Sequence, residues 1–217
     1  MSTEKIFDYS PEALVKALSP ERLTPYLAET SGNLVTAIDL YRRNIEISGA
    51  FYEILGIAEV SLRNTLNEQL TALDAKQSGL WFENLGNILT EDARRDITLA
   101  QKRASRKAIQ ETPGAVVAEL SFGFWRYLLA KRYETSLWTP ALRHGFPGLV
   151  RRQRAAVYSA VSDLHILRNR IAHHEPILQR NLSQDLLTTF RLLDWISEDT
   201  SKWALSFSKV DNLMSNY

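Results

Sequence analysis

The chain has 217 residues, of which 45% are hydrophobic and 24% are charged, an ordinary composition for a globular protein that forms one core. The absence of cysteine excludes disulfides and thiolate metal ligands and suits a reducing compartment. No apolar run approaches the roughly 18 residues of a membrane-spanning helix, and residues 1–5 lack a basic and then apolar secretion signal. We therefore expect a cytoplasmic protein with no membrane partner.

The net charge of +1 conceals an uneven distribution along the chain. Residues 1–93 carry a net charge of −7, residues 94–154 one of +9, and residues 155–217 one of −1. A basic middle segment of this size is typical of a surface that faces phosphates. It is equally consistent with basic helices that meet the acidic N-terminal segment, within one molecule or across a dimer.

Two similar Ser-Pro-Glu sequences open the chain, at residues 10–12 and 19–21. A serine N-cap, a proline at the first helical position and an acid in the first turn predict two short helices. The second is expected to be interrupted near Pro25. We predict an N-terminal helical attachment over residues 1–32 and a main helical domain over residues 33–217.

Apolar residues recur at helical spacing over residues 34–73, and Ser48–Gly49 indicates a break between two helices or a kink in one. Glu59 and Arg63 lie four residues apart in this tract and therefore share a helix face. As a surface ion pair they would contribute ~0.3–0.5 kcal/mol. The neighbouring leucines instead favour a position at the border of the core.

A further helix is expected from a Thr90 cap to about Ala108, and Thr112–Pro113 opens the next one. An aromatic run over residues 120–125 has the helical spacing typical of a core. A last long helix is expected from about Leu149. The basic side chains that we assign to contacts with a phosphate backbone are Lys102, Arg103, Arg106, Lys107, Arg151, Arg152 and Arg154.

This last helix leads into residues 167–176, with the sequence LRNRIAHHEP, which holds two of the chain's four histidines. Pro176 lacks an N–H and disfavours helix in the preceding residue, so the helix should end here. Histidine changes charge near neutral pH and arginine binds phosphate oxygens, so this composition suits phosphodiester chemistry. Basic and imidazole side chains are also common at helix C-termini because the helix dipole favours positive charge there.

After this sequence, Asn181 or Ser183 is placed to cap a helix over residues 184–197. The apolar residues at 203–207 predict a further short packing element. No stretch alternates as a β-strand does. The sequence therefore predicts an all-α fold, a helical bundle with short N-terminal helices attached.

Two motifs resemble those of one known family. Arg168 and Asn169, three intervening residues and then His173 match the Arg-Asn-x-x-x-His signature of HEPN-domain ribonucleases. The string over residues 168–176 looks like the form found in the Abi-like (abortive-infection) branch. The Glu-x-x-x-Arg-Asn pattern that starts at Glu59, about a hundred residues earlier, resembles the same branch. The resemblance covers roughly Leu18 to Trp195.

The resemblance implies a HEPN-like helical bundle and a metal-independent endoribonuclease. Such an enzyme would be the toxin of an abortive-infection (anti-phage) or toxin–antitoxin system. RNA carries its own nucleophile, the 2′-OH, so cleavage needs proton transfer and cations rather than a cofactor. On this basis His173 is the general acid/base, Arg168 clamps the phosphate, and Asn169 orients the imidazole or the phosphate. Supporting residues are His174, Glu175, Arg170, Glu59, Arg63 and Asn64.

One geometric difficulty bears on the oligomeric state. On an ideal helix Arg168 and His173 project about 140° apart, so they do not share a face. HEPN ribonucleases generally dimerise with their motifs facing across a symmetric interface, which would also supply a second histidine. We therefore predict a homodimer. The resemblance further implies an RNA substrate and restraint by an antitoxin protein or a neutralising RNA.

Three alternatives remain open at this point. The same fold can serve as a non-catalytic RNA-binding or protein-interaction module. Glu175 can pair with Arg170, five residues earlier, or with a partner chain. A zinc site could use His165, His173, His174 and Glu175, but the H-E-x-x-H spacing is absent and adjacent histidines project about 100° apart. We therefore expect no metal.

Overall fold

The computed structural model describes residues 9–74, 80–107, 112–151 and 153–215. Over these ranges the protein consists of helices, turns and loops without a β-strand, which confirms the prediction of an all-α fold. The helices are α1 (Pro11–Leu18), α2 (Pro20–Glu29), α3 (Leu34–Leu73), α4 (Trp81–Asn84), α5 (Glu91–Lys107), α6 (Pro113–Glu119), α7 (Phe122–Leu128), α8 (Arg154–Ala172), α9 (Leu182–Ile196), α10 (Glu198–Phe207) and α11 (Val210–Ser215). Short 3-10 or π turns occupy Leu85–Asn87, Lys131–Tyr133, Glu134–Trp138 and Leu142–Gly145.

Helices α1 and α2 begin at the serines that the sequence indicates. The Ser10 hydroxyl accepts a hydrogen bond from the backbone N–H of Ala13, and Ser19 caps α2 in the same way. The predicted interruption at Pro25 is wrong, because α2 continues through it. Pro25 removes one backbone hydrogen bond, but its neighbours Leu23 and Tyr26 are buried against the start of α3 and hold the helix.

The long helix α3 is the central element of the bundle. It extends over 40 residues without interruption at Ser48–Gly49, so of the two predicted alternatives the break between two helices is wrong, and the kink within one helix stays a prediction. A glycine inside a helix costs about 1 kcal/mol. Burial of the flanking Ile47, Ala50 and Phe51 outweighs that cost. Helices α7, α8 and α9 pack around α3.

The aromatic run of the sequence forms part of the main core, as predicted. Phe122, Phe124 and Trp125 are buried, and Trp81 packs against the last two of them. A Ser121 cap separates α7 from α6, so the run does not continue the preceding helix. This arrangement brings α7 alongside α8.

Helix α8 begins at Arg154, later than the predicted start near Leu149. The preceding loop is held against the end of α9, where the N–H of Gly148 donates to the carbonyl of Trp195 at 3.1 Å. A Cβ at residue 148 would lie 2.4 Å from the carbonyl oxygen of Asp194, so this contact requires glycine. This contact fixes the loop in a non-helical conformation, and α8 begins only after the loop.

Helix α10 is present where a short element was predicted, but its large side chains do not pack as expected. Trp203 is 59% exposed and Leu205 is 55% exposed. The buried face of α10 consists instead of the small residues Ser201 and Ala204, which let the helix approach α9 closely. No helix in the described part of the chain has both the length and the apolarity needed to cross a membrane.

Candidate functional site

Helix α8 ends at the predicted position, and its last turn has an unusual residue. The N–H of His174 bonds to the carbonyl of Ile171 at 3.0 Å, and that of Glu175 bonds to the carbonyl of Arg170 at 2.8 Å. This pattern places His174 at the position where glycine is usual, with a φ of 55°. A histidine in this conformation costs roughly 1–2 kcal/mol. His173 and His174 are both exposed at the helix end.

Two distant segments hold this turn in place. The guanidinium of Arg22, from α2, donates to the carbonyl of His174 at 2.7 Å. The buried side chain of Asn44, from α3, accepts a hydrogen bond from the N–H of Ile177 at 2.8 Å. Arg22 satisfies a carbonyl that the helix itself leaves without a partner. No local signal in the sequence identifies it, because 152 residues separate the two partners.

The two motifs that carry the family resemblance are in contact. The Nε of Arg168 lies 3.3 Å from Oε2 of Glu59, although 109 residues separate them. Both side chains are partly exposed, Arg168 to 33% and Glu59 to 24%. Glu59 therefore pairs across helices with Arg168, and the surface ion pair with Arg63 considered above does not form. Arg63 instead donates to Asn64 at 3.4 Å.

The amide of Asn169 contacts a histidine, but not the one expected. Its Nδ2 atom lies 3.3 Å from Nε2 of His165, one turn earlier in α8. Burial, and then the nearby guanidinium groups of Arg126 and Arg168, lower the pKa of His165. Sequence reasoning considered His165 only as a metal ligand. Its spacing of three residues before Arg168 is the signal that could have identified it.

The remaining residues of the motif form a local ion pair. Arg170 and Glu175 approach to 3.2 Å between Nε and Oε2, and both are partly exposed. Arg170 is therefore the partner of Glu175 within the chain, the first of the two alternatives considered for it. No group of three or more histidine or carboxylate side chains among the described residues is arranged to hold a metal ion.

A cavity of about 410 Å³ lies between α3 and the end of α8, beside the motif. Its walls include Tyr41, Ser48, Tyr52, Ala172 and His174. The hydroxyl of Ser48 is buried and has no hydrogen-bond partner in the described structure. The volume falls within the range of about 300–1,000 Å³ that is typical of small-ligand sites.

The basic residues assigned to RNA contacts fall into separate groups. Lys102, Arg103 and Arg106 are exposed on α5, and Arg151 is exposed in the loop before α8. Arg152 and the side chain of Lys107 lie outside the described part of the chain.

Arg154 does not fit the assignment to RNA. It is 9% exposed, and its Nη1 atom donates to the carbonyl of Leu129 at 2.6 Å. Its Nε atom faces the carboxylate of Glu134 at 3.4 Å. The guanidinium is therefore used inside the fold and is not available for a phosphate.

The fold and the site together define an all-α protein in which Arg168 of α8 pairs with Glu59 of α3 at a partly exposed position. Comparisons with known protein families, with characterised proteins and with solved structures gave no match to this chain.

Proposed function

We propose that this protein is a metal-independent endoribonuclease of the HEPN type, related to the Abi-like branch. The observation that carries the proposal is the contact between Arg168 and Glu59. It joins, in one partly exposed site, two motifs that the sequence separates by more than a hundred residues. If the motifs matched by chance, nothing would require them to meet.

The chemistry follows from the groups at the end of α8. A base removes the 2′-OH proton, and the 2′-oxygen then forms a bond with phosphorus. The bond from phosphorus to the 5′-oxygen breaks, and an acid protonates that oxygen. The products are a 2′,3′-cyclic phosphate and a 5′-hydroxyl. His173 is the proton-transfer group, and Arg168 stabilises the charge that develops on the phosphate.

A homodimer is part of this proposal. Helix α3 presents Ile45, Gly49, Tyr52 and Gly56 at alternating spacings of four and three residues, all on one exposed face. Ile45 is 53% exposed and Tyr52 is 55% exposed. Such a face supports packing against the same helix of a second copy. It also borders the cavity beside His174, so the partner would lie next to the motif.

Substitution of Gly56 by glutamate tests the dimer. A Cβ at residue 56 meets nothing within 4 Å in its own chain, so the subunit should still fold. We expect light scattering to show monomers and RNA cleavage to fall at least tenfold. Gly114→Glu is the matched control, because residue 114 is equally open. A Gly56→Glu monomer that cleaves RNA at the wild-type rate would contradict the proposed dimer.

The alternative proposal is a non-catalytic RNA-binding or protein-interaction module with the same fold. The exposed basic side chains of α5, Lys102, Arg103 and Arg106, favour RNA binding in either case. The accessible His173 favours catalysis, because binding alone requires no imidazole. Retained RNA binding without any cleavage would support the module.

The proposal extends to the biological role. A free ribonuclease would harm its own cell, so we propose a toxin of an abortive-infection or toxin–antitoxin system, restrained by a protein or an RNA. Sequencing of the 5′-ends of cellular RNA after brief induction would identify the target. New ends that appear with wild type and not with His173→Ala are expected.

Purified protein provides the direct test. We expect the wild type to cleave single-stranded RNA in excess chelator and to leave 2′,3′-cyclic phosphate ends. Arg168→Ala should reduce the rate by on the order of 100-fold, because one charge-stabilising donor is lost. Arg191→Ala, at an exposed position on α9, should cleave normally. Absence of cleavage by the wild type, or full activity of Arg168→Ala, would refute the proposed chemistry.

A further inference from the structure

The backbone at the end of α8 is strained at His174. Its φ is 55°, and the other residues besides glycine with a positive φ in the described part of the chain are Ser19 and Ser31. A residue with a Cβ keeps this conformation only where its surroundings hold it there. Because His174 follows His173 directly, the same surroundings also fix the backbone that carries the proposed proton-transfer group.

Arg22 provides a charge-assisted hydrogen bond to this turn. Its Nη1 atom donates to the carbonyl oxygen of His174 at 2.7 Å and lies 3.5 Å from that of His173. A hydrogen bond from a guanidinium is roughly twice as strong as one between neutral groups. Within the described part of the chain this guanidinium forms no ion pair with a carboxylate, so the two carbonyls are its partners.

Helix α2 holds Arg22 in place independently of the motif. Leu23 and Tyr26 are buried together with Ala37 and Ile38 of α3, in a cluster separate from the main core. This cluster contains residues of α1, α2 and α3 and none of α8. The position of Arg22 is therefore set by packing that does not involve the turn that it contacts.

Helix α2 meets the segment after α8 through polar contacts and not through a shared core. The amide of Gln179 donates to the carboxylate of Glu29 at 2.9 Å, which adds a second side-chain hydrogen bond between the two parts. A cavity of about 290 Å³ lies between them, with Pro25, Pro176 and Leu178 among its walls. Loss of the bond from α2 can therefore loosen the turn while α1 and α2 stay folded on α3.

We propose that Arg22 is a positioning residue of the site, which holds His174 in its left-handed conformation and thereby fixes the backbone of His173. This role rests on the proposed ribonuclease function. Arg22 acts through the two carbonyls and neither binds RNA nor transfers a proton. The short N-terminal helices are then a working part of the site, because without them the last turn of α8 loses the donor for its carbonyls.

The substitution His174→Gly separates positioning from a general contribution to stability. Glycine adopts a positive φ without the penalty that a Cβ imposes, so the turn no longer needs to be held. If Arg22 acts by holding this turn, its removal should matter in the wild type and matter little in the His174→Gly background. A merely stabilising Arg22 would have the same effect in both backgrounds.

RNA cleavage in the two backgrounds is the first test. We expect Arg22→Gln to lower kcat by roughly 10–100-fold, the equivalent of one hydrogen bond from a charged group. KM should stay nearly unchanged, because Arg168 still binds the phosphate. In the His174→Gly background the same substitution should leave kcat nearly unchanged. Arg22→Lys keeps a charged donor and should recover part of the loss.

Lys16→Gln is the control for this test, because it removes an exposed positive charge from α1 and should cleave at the wild-type rate. Equal losses of kcat from Arg22→Gln in the two backgrounds would overturn the positioning role. A fully active Arg22→Gln enzyme would overturn it as well.

Amide hydrogen exchange, measured by NMR on the full chain, is the second test and does not depend on activity. The amides of residues 174 and 175 donate to carbonyls of α8, and they should exchange roughly tenfold faster in Arg22→Gln. The His174→Gly background should show no such rise. The amides of Leu164 and Leu167, which are buried earlier in α8, should exchange at the wild-type rate.

The exchange rates also distinguish this role from the proposed function. If the wild type cleaves no RNA and faster exchange is confined to the turn, Arg22 holds the turn and only the ribonuclease is refuted. Unchanged exchange at residues 174 and 175, or a rise that extends through α8, would overturn the role of Arg22.

Discussion

Substitution of His173 by alanine is expected to reduce RNA cleavage by about 10²–10⁴-fold, the usual contribution of a general acid or base. The imidazole is exposed at the end of α8, and no side-chain hydrogen bond or ion pair within the described structure involves it. Its loss should therefore change the free energy of unfolding by less than about 0.5 kcal/mol. Single-turnover cleavage and thermal unfolding, measured on the same sample, separate the two effects.

The control for this experiment is another exposed histidine. His144 lies in the 3-10 turn Leu142–Gly145, outside the site, and His144→Ala should cleave RNA at the wild-type rate. RNA affinity of His173→Ala should stay close to that of the wild type, because Arg168 still binds the phosphate. If His173→Ala unfolds at the normal temperature and remains fully active, His173 is not the proton-transfer group.

Substitution of Arg154 by methionine is expected to lower the free energy of unfolding by about 2–3 kcal/mol. The methionine fills a similar volume, but the carbonyl of Leu129 loses a charge-assisted hydrogen bond in a buried position. Glu134 is 48% exposed and can be solvated again, so the loss of the ion pair adds little. For a chain of this size the midpoint of thermal unfolding should fall by roughly 4–12 °C.

Arg151→Met is the matched control for Arg154→Met, because Arg151 lies three residues earlier in the chain. It is exposed in the loop before α8, and Arg151→Met should leave the unfolding midpoint nearly unchanged. If Arg151 contacts the RNA backbone, the same variant should lower affinity and reduce the dependence of binding on salt. An Arg154→Met variant that unfolds at the wild-type temperature but binds RNA with lower affinity would instead indicate that Arg154 contacts RNA.

Local chemistry explains which parts of the fold could be predicted. Ser10, Ser19, Thr112 and Asn181 cap helices as expected, because a cap depends only on residues within one turn. The end of α8 within the motif could also be predicted, because Pro176 disfavours helix in the residue before it. The errors at Pro25 and at Ser48–Gly49 arose where burial against other helices outweighs a local preference against helix.

The sequence by itself determined the all-α class, most helix boundaries and the residues from 168 to 176 that carry the proposed chemistry. These features follow from the spacing of apolar residues and from side chains that act within one turn. Only the tertiary structure decided which partner each charge has. Arg168 pairs with Glu59, Arg22 binds the end of α8, and Arg154 turns inward. These pairings depend on how helices distant in the chain pack together, and no local pattern contains that information.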